Sequence, residues 1–225
     1  MESIMRLWWR LVRFGFRLLY NEMAFTYDLV SKVVSLGAWR CWQRVTLKHL
    51  PPPGTVPILE LAHGTGDLQI DLHAAGYTSI GFDLSLYMGQ ITWRKLRRQN
   101  IPAVLTRGYA QALPFADDAF PAIACTFPTP FIIQPETLAE VYRVLQPGGR
   151  LVVVPSGVLT GENPPEAVLE WLYRITGQRE GDADSFVGAF DRAGFSVMAV
   201  QERCPRSIAV VIVAEKLESA LDSDA

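Results

Sequence analysis

The sequence predicts an α/β domain built on a mostly parallel β-sheet and preceded by helices. From Pro57 onward, short apolar runs alternate with longer amphipathic stretches, which is the pattern of βαβ units. The first apolar run ends at Leu61 and turns through Gly64 and Gly66 into a helix, as at a ligand-binding edge of such a sheet. A chain of 225 residues, 49% of them apolar, suits one domain of this kind and argues against extensive disorder.

This alternation predicts seven strands. The strands are expected at 57–61, 79–83, 103–107, 120–126, 150–154, 196–202 and 207–215. Helices are expected at 67–75, 86–99, 135–144, 165–175 and 185–193. A turn at Cys204-Pro205 joins the last two strands into a hairpin. The expected fold is therefore Rossmann-like, with a seven-stranded, mostly parallel sheet and an antiparallel last strand.

Breaks in composition divide the chain into three segments. Residues 1–50 are amphipathic and helical, with a pause at residues 35–37, and are expected to serve as a membrane-interface segment or a lid. The run Pro51-Pro-Pro-Gly54 ends this segment. Residues 51–216 then form the α/β domain, and residues 217–225 form an acidic tail expected to fray.

The first segment contains a basic and aromatic helix at residues 4–20. Arg6, Arg10, Arg13 and Arg17 share one stripe of that helix, and tryptophan and aliphatic residues cover the rest. This pattern suits a helix lying in a membrane interface, while four charges disfavour a spanning helix. The alternative is a helix packed on its own domain or on a second subunit. The location predicted from this pattern is cytoplasmic, either free or peripheral on the inner face of the membrane, and the oligomeric state stays open.

Charge, cysteine and histidine usage exclude several classes of function. A formal net charge of −2 argues against a nucleic-acid-binding protein held by a general basic field. Cys41, Cys125 and Cys204 lie far apart, so we expect reduced and mostly buried thiols with no disulfide. The three histidines lack metal-ligand spacing, and we predict no metal site.

Four landmarks occur in the order found in a known class of enzymes. They are the glycine turn, the carboxylate Asp83 at the end of the second strand, Leu113-Pro-Phe115, and Leu145-Gln-Pro-Gly-Gly149. The carboxylate of Asp83 suits a ribose diol, because it can accept hydrogen bonds from both hydroxyl groups. Together the landmarks resemble the class I S-adenosylmethionine (SAM) dependent methyltransferases, including those grouped as methyltransferase type 11. The resemblance implies that SAM is the cofactor.

Within that class, the sequence most resembles the C-methyltransferases of menaquinone and ubiquinone biosynthesis. The resemblance covers roughly residues 20–155. It rests on Phe25-Thr-Tyr-Asp-Leu29, Val34-Ser-Leu-Gly37, Trp39, Glu60-Leu-Ala-His-Gly-Thr-Gly-Asp-Leu68, Ala112-Leu-Pro-Phe115 and Tyr142-Arg-Val-Leu-Gln-Pro-Gly-Gly-Arg150.

The resemblance implies a cofactor site, position by position. Glu60 would anchor the loop near the methionine amino group, Asp67 would cap the next helix, and Asp83 would accept both ribose hydroxyls. Leu84 would flank the adenine, and Tyr27 would close over the site. The complete implied set is Tyr27, Glu60, Ala62, His63, Gly64, Gly66, Asp67, Asp83, Leu84, Ala110, Gln111 and Thr126.

Two departures from the family pattern bear on specificity. Tyr109 stands where most relatives have Asp or Asn, which favours stacking on the adenine over polar recognition. The segment Thr126-Phe-Pro-Thr-Pro-Phe131 is apolar where the quinone enzymes carry an Arg-Asn-containing segment. We expect Phe127, Pro128, Thr129 and Phe131 to line an apolar acceptor pocket for something other than the standard quinone precursor.

The leading hypothesis is therefore a SAM-dependent methyltransferase of a small lipophilic, quinone- or lipid-like acceptor at the membrane face. The alternatives are a methyltransferase of a soluble small molecule, or a catalytically silent SAM-fold module that binds a membrane or a partner. No general base stands out. His63 is a weak candidate as the histidine of the glycine loop, and Tyr87, Tyr109 and Glu136 are weaker ones.

Overall fold

The computed structural model describes residues 26–160 and 183–217. The helices expected at 4–20 and 165–175 and most of the acidic tail lie outside these residues. The helices are α1 (Tyr27–Val34), α2 (Trp39–Arg44), α3 (Asp67–Ala74), α4 (Leu86–Arg98), α5 (Pro135–Val144) and α6 (Ala183–Arg192), with 3₁₀ turns at Val45–Lys48 and Pro130–Ile133. The strands are β1 (Ile58–Leu61), β2 (Ser79–Asp83), β3 (Leu105–Arg107), β4 (Phe120–Thr126), β5 (Leu145–Leu159), β6 (Phe195–Cys204) and β7 (Ser207–Lys216).

The strands form one seven-stranded sheet in the order β3-β2-β1-β4-β5-β7-β6. Strands β1 to β5 pair in parallel, whereas β7 runs antiparallel to both β5 and β6. The predicted fold class is thereby confirmed. The direction of strand order reverses between β1 and β4. In open α/β sheets, ligands bind in the crevice that such a reversal creates at the carboxyl ends of the strands.

The core consists of two apolar layers, one on each face of the sheet. Along β4, Ile123 and Cys125 belong to one layer while Ala122 and Ala124 belong to the other. All four side chains are fully buried. Because parallel strands are covered on both faces, their sequences are continuous apolar runs rather than alternating ones.

Strand β5 is much longer than the predicted 150–154. It begins at Leu145, and its second half continues past Pro155 to Leu159 by pairing with β7. The β5–β7 register shifts between Val153 and Ser156, around that proline. Because proline has no N–H to donate, it is tolerated in a sheet at irregularities of this kind. Pairing with β7 therefore extends β5 beyond the proline, and the local sequence of β5 does not show this pairing.

The predicted pause in the leading helices is a tight turn between α1 and α2. Leu36 and Gly37 have φ angles of +50° and +85° and donate their N–H groups to the carbonyls of Val33 and Lys32 at 3.1 and 2.8 Å, which ends α1 in a Schellman motif. After the turn, Trp42 of α2 is buried and donates its indole N–H to Ser207 Oγ at 3.0 Å. The leading helices are therefore anchored on the sheet.

The prediction that all three cysteines are reduced thiols is wrong for two of them. Cys41 on α2 and Cys204 at the end of β6 form a disulfide, with their Cα atoms 6.0 Å apart. They are 163 residues apart in sequence, and only the docking of α2 beside the β6–β7 turn brings them together. Cys125 is a free thiol, buried in β4.

Within residues 26–160 and 183–217, no helix is both long and apolar enough to cross a lipid bilayer. Those residues also contain no cluster of three or more His, Cys, Asp or Glu side chains able to hold a metal ion.

Candidate cofactor and acceptor site

The loop after β1 has a backbone that favours glycine. Gly64 and Gly66 have φ angles of +53° and +80°, in the left-handed region. A Cβ at Gly66 would collide with the side chain of Thr92 on α4, whereas a Cβ at Gly64 would meet no atom within 4 Å. Gly66 is thus required for close packing, and Gly64 faces open space where a ligand can approach the backbone.

Asp83 at the end of β2 is held by backbone donors. Its Oδ2 accepts the N–H of Gly64 at 3.0 Å, and its Oδ1 accepts the N–H of Ser85 at 2.8 Å. These bonds fix the carboxylate beside the glycine loop and join the ends of two neighbouring strands. A carboxylate with free lone pairs in this place suits a ligand with adjacent hydroxyl groups.

A cavity of about 670 Å³ opens at the carboxyl ends of the strands, within the size range of small-molecule sites. It brings together most of the residues expected from sequence. Those that line it are Tyr27, Ala62, Gly64, Asp83, Leu84, Ala110, Gln111, Thr126, Phe127, Pro128, Thr129 and Phe131. Glu60, His63, Gly66 and Asp67 do not line it.

Glu60 lies beneath the loop, inside the sheet. It is only 1% exposed, and Gln69 Nε2 donates a hydrogen bond to it at 2.6 Å. Gln69 in turn accepts the hydroxyl of Ser79 at 2.8 Å. Burial raises the pKa of Glu60 to about 8, because a charged carboxylate is poorly solvated there. Glu60 therefore contacts Gln69, a side chain beneath the glycine loop, and does not face the cavity.

His63 points away from the main cavity. Its imidazole is buried, and its Nδ1 lies 3.0 Å from the carbonyl oxygen of Gly64, to which it can donate. Burial lowers the pKa of His63, which favours the neutral ring. His63 lines a second, smaller cavity between α4 and β3. This second cavity lies behind the glycine loop.

Asp67 begins α3 without capping it. The N-cap position is Gly66, and no side chain accepts a hydrogen bond there. The Asp67 carboxylate instead accepts from Lys95 of α4 at 2.8 Å. The expected capping bond is absent because Asp67 is the first residue of the helix and Gly66 occupies the N-cap position. A negative charge in the first turn still interacts favourably with the helix dipole.

Lys95 also belongs to a polar link between α1 and the glycine loop. Its ammonium donates to Asp28 at 2.7 Å, and Asp28 accepts the hydroxyl of Thr65, which lies between the two loop glycines. Asp28 directly follows Tyr27, whose ring lines the cavity. Sequence reasoning missed Asp28, Thr65 and Lys95, because no local spacing relates residues 28, 65 and 95.

Aromatic rings form one wall of the cavity. Phe127 stacks on Trp39 of α2, with ring centroids 3.8 Å apart, and Tyr27 packs edge-on to Trp39 at 6.1 Å. Phe127 has a φ of +51°, and its N–H donates to the carbonyl of Val154 at 2.7 Å. The role of Trp39 in fixing this wall was also missed, since it depends on the docking of α2.

The opposite side of the cavity carries exposed apolar side chains. Tyr109 is 65% exposed and Leu84 is 48% exposed, although both line the cavity. Arg107 Nε donates to the carbonyl of Leu84 at 2.9 Å, which fixes the backbone there. This rim can hold a flat ring between apolar surfaces. With the carboxylate of Asp83 and the open backbone at Gly64, the residues present fit a nucleoside-type ligand.

Comparison with known proteins gives a family match over most of the chain. The model of the ubiE/COQ5 methyltransferase family matches residues 16–201. A demethylmenaquinone methyltransferase of Thermus thermophilus is 36% identical over 164 residues, covering 72% of each chain.

Other relatives match over a smaller share of their length. The ubiquinone/menaquinone biosynthesis C-methyltransferase UbiE of Geotalea daltonii is 31% identical over 142 residues, which cover 60% of each chain. For further curated relatives the match covers 61% and 56% of their own length. The chain thus spans about three fifths of several relatives.

Solved structures show the same fold at low identity. Geranyl diphosphate C-methyltransferase from Streptomyces coelicolor, solved with S-adenosyl-L-homocysteine, has a TM-score of 0.60 and 15% identity, with 79% of both chains covered. At this identity the similarity concerns the fold alone.

Proposed function

Because this chain belongs to the ubiE/COQ5 methyltransferase family and is a SAM-dependent methyltransferase, we propose that it methylates a small, lipophilic, quinone-like acceptor. The observation that carries the proposal is a single cavity with two chemically different ends. Asp83 and Gly64 form a polar end, and Phe127 and Phe131 form an apolar one. The relatives named as demethylmenaquinone methyltransferases support an acceptor of this class.

The polar end would hold the cofactor. Asp83 would accept the ribose hydroxyls, Leu84 and Tyr109 would flank the adenine, and Gly64 would let the backbone approach closely. The cofactor supplies an electrophilic methyl group on a sulfonium, so the reaction is an in-line displacement. The protein's task is to align the acceptor and to exclude water.

The apolar end would position the acceptor and keep water out. Phe127 is braced by stacking on Trp39, so its ring forms a fixed wall beside Thr126. Among the described residues that line the cavity, none is a histidine or lysine. An acceptor whose nucleophilic carbon is activated by its own phenolic or enolic oxygen needs no strong base, and a quinone precursor in its reduced form meets this condition.

We further propose that the protein works at the surface of a membrane. The basic and aromatic pattern of residues 4–20 supports this. Leu29 and Val33 follow on α1, four residues apart, and are 65% and 59% exposed. Their apolar side chains lie on the same face of α1, which would extend the membrane-binding surface toward Tyr27 and the cavity.

The test is methyl transfer from radiolabelled SAM by the full-length protein to demethylmenaquinone in liposomes, followed by phase separation. We expect label in the organic phase, and loss of transfer in Asp83→Ala. That variant should bind SAM about 10- to 100-fold more weakly, because a charge-assisted hydrogen bond contributes about 1.5–3 kcal/mol. Asp191→Asn, at an exposed position on α6, is the control.

A second incubation replaces the liposomes with a total host extract. If label then appears only in the aqueous phase, the acceptor is a soluble molecule and not a lipophilic one. Absence of label in both phases, from protein that binds SAM, would contradict the proposed acceptor class altogether.

A further inference from the structure

We propose that the second cavity, between α4 and β3, binds a small aromatic carboxylate that carries a hydroxyl group. The cavity has a volume of about 420 Å³ and lies behind the glycine loop. It shares Asp83, Ser85, Leu86 and Arg107 with the main cavity, whereas Trp93, Leu105 and His63 line only the second cavity. The inference is independent of the proposed acceptor.

The walls of this cavity suit a flat, apolar ring. Trp93 on α4 is 46% exposed and Leu86 is 50% exposed, although both are large apolar side chains. Between them on the same helix stands Gly89, where a Cβ would meet no atom within 4 Å. Glycine is a poor helix former, so its presence is not explained by the helix. Its missing side chain keeps the groove open.

The charges of the lining favour an anion. The lining includes two arginines, Arg94 and Arg107, against the single carboxylate of Asp83, and the Nε of Arg107 already donates to the carbonyl of Leu84. That carboxylate already accepts the N–H groups of Gly64 and Ser85. An arginine guanidinium binds carboxylates with directed hydrogen bonds, so one carboxylate on the ligand would balance the excess positive charge.

A buried histidine supplies the third recognition element. His63 Nδ1 faces the carbonyl of Gly64 as a donor, which leaves Nε2 as the acceptor of the neutral ring. Within the described part of the chain, Nε2 has no hydrogen bond to another residue, although His63 is only 4% exposed. An acceptor nitrogen in a cavity wall can accept the hydroxyl of a ligand.

The same histidine connects this cavity with the cofactor loop. The carbonyl of Gly64 faces His63 and also accepts the hydroxyl of Thr92 at 2.8 Å, while the N–H of Gly64 donates to Asp83. A ligand that engages His63 therefore acts on the residue that shapes the main cavity. Binding in the second cavity should change the affinity for SAM, and SAM should change the ligand's affinity by the same factor.

The test uses 4-hydroxybenzoate as the probe, titrated into the full-length protein and followed by ligand-observed NMR. S-adenosylhomocysteine is kept at saturation so that the main cavity is filled. We expect saturable binding, and weaker binding of benzoate, which lacks the hydroxyl group. Gly89→Leu, which fills the groove, and Arg94→Gln should each weaken 4-hydroxybenzoate binding about ten-fold.

Arg98→Gln is the matched control, since Arg98 lies on the same helix but lines neither cavity, and it should change the affinity less than about two-fold. Circular dichroism and affinity for S-adenosylhomocysteine show whether Gly89→Leu is folded; if it is not, Arg94→Gln decides. Absence of saturable probe binding in the presence of saturating S-adenosylhomocysteine, or equal affinity in wild type and Arg94→Gln, would overturn the proposal.

Discussion

At the scale of single residues, two carboxylates on adjacent strands differ in burial. Asp83 ends β2 at the cavity, where two backbone N–H groups hold it. Glu60 lies inside β1, beside Gly81 of β2, and is almost completely buried. Its pKa is raised to about 8 by burial, above the ordinary value of 4.5. The two acids therefore differ in environment, since Asp83 lines the cavity and Glu60 contacts side chains inside the fold.

The raised pKa of Glu60 predicts a pH dependence of stability. Between pH 4.5 and about 8, the folded protein keeps the proton on Glu60, while the unfolded chain has released it. The unfolded state thus binds fewer protons, and the free energy of unfolding falls as pH rises through this window. Urea unfolding of wild type and Glu60→Gln at several pH values measures the difference.

We expect the slope of stability against pH to be less negative in Glu60→Gln, by up to about 1.4 kcal/mol per pH unit. The hydrogen bond from Gln69 persists if the amide oxygen accepts it, so folding should be retained. Parallel pH profiles for the two proteins would show that Glu60 ionises normally.

At the scale of elements, the helices before the sheet complete the site. Helix α1 carries Tyr27 to the cavity, and α2 carries Trp39 against Phe127. Two kinds of contact hold them. The polar link through Asp28 reaches the glycine loop, and Trp42 packs into the core of the sheet. We expect the first contact to affect cofactor binding and the second to affect folding, so mutation can separate them.

Loss of the polar link should weaken cofactor binding. Asp28→Ala removes the acceptor for Thr65 and the anion facing Lys95. Since the pair is partly exposed, its contribution is about 1 kcal/mol, and we expect SAM affinity to fall about five-fold. Calorimetric titration measures this, with Lys32→Ala on the same helix as the control. A loss of stability without any change in SAM affinity would mean that Asp28 has a structural role only.

Packing of α2 on the sheet depends on a glycine in β5. A Cβ at Gly157 would overlap the buried indole ring of Trp42. We expect Gly157→Ala to lower the free energy of unfolding by about 1–3 kcal/mol, the usual effect of overpacking a core. The control is Gly54→Ala, where a Cβ meets no atom within 4 Å. Equal urea midpoints for the two variants would contradict this prediction.

At the scale of the whole molecule, one covalent bond joins the two ends of the fold. The Cys41–Cys204 disulfide ties α2 to the β6–β7 turn across 163 residues. Trp42 and Ser207, the neighbours of these cysteines, are hydrogen-bonded at the same junction. The leading helices are thereby fixed to the edge of the sheet opposite β3, and the aromatic wall of the cavity rests on this attachment.

Reduction of this disulfide should destabilise the protein. Because a cross-link over a long loop restricts the unfolded chain, the expected loss is about 3–5 kcal/mol. Urea unfolding with and without a phosphine reductant measures it. The double variant Cys41→Ser/Cys204→Ser should be insensitive to the reductant. A wild-type midpoint that is unchanged by complete reduction would show that the bond contributes nothing to stability.

The sequence by itself determined the order of strands and helices along the chain and the edge of the sheet at which the main cavity opens. Those features depend on local signals, such as the apolar runs and the turn through Gly64 and Gly66, which act between near neighbours. Asp83 and most of the apolar segment 126–131 line the same cavity, and their roles there stay proposals.

Only the tertiary structure decided how distant segments meet. The disulfide, the link from Asp28 to Thr65, the stacking of Trp39 on Phe127 and the orientation of His63 depend on how α1, α2 and α4 dock on the sheet. Docking of this kind is set by side-chain packing between elements far apart in the chain. No periodicity within a segment records it, because periodicity shows which face of an element is buried and not what covers it.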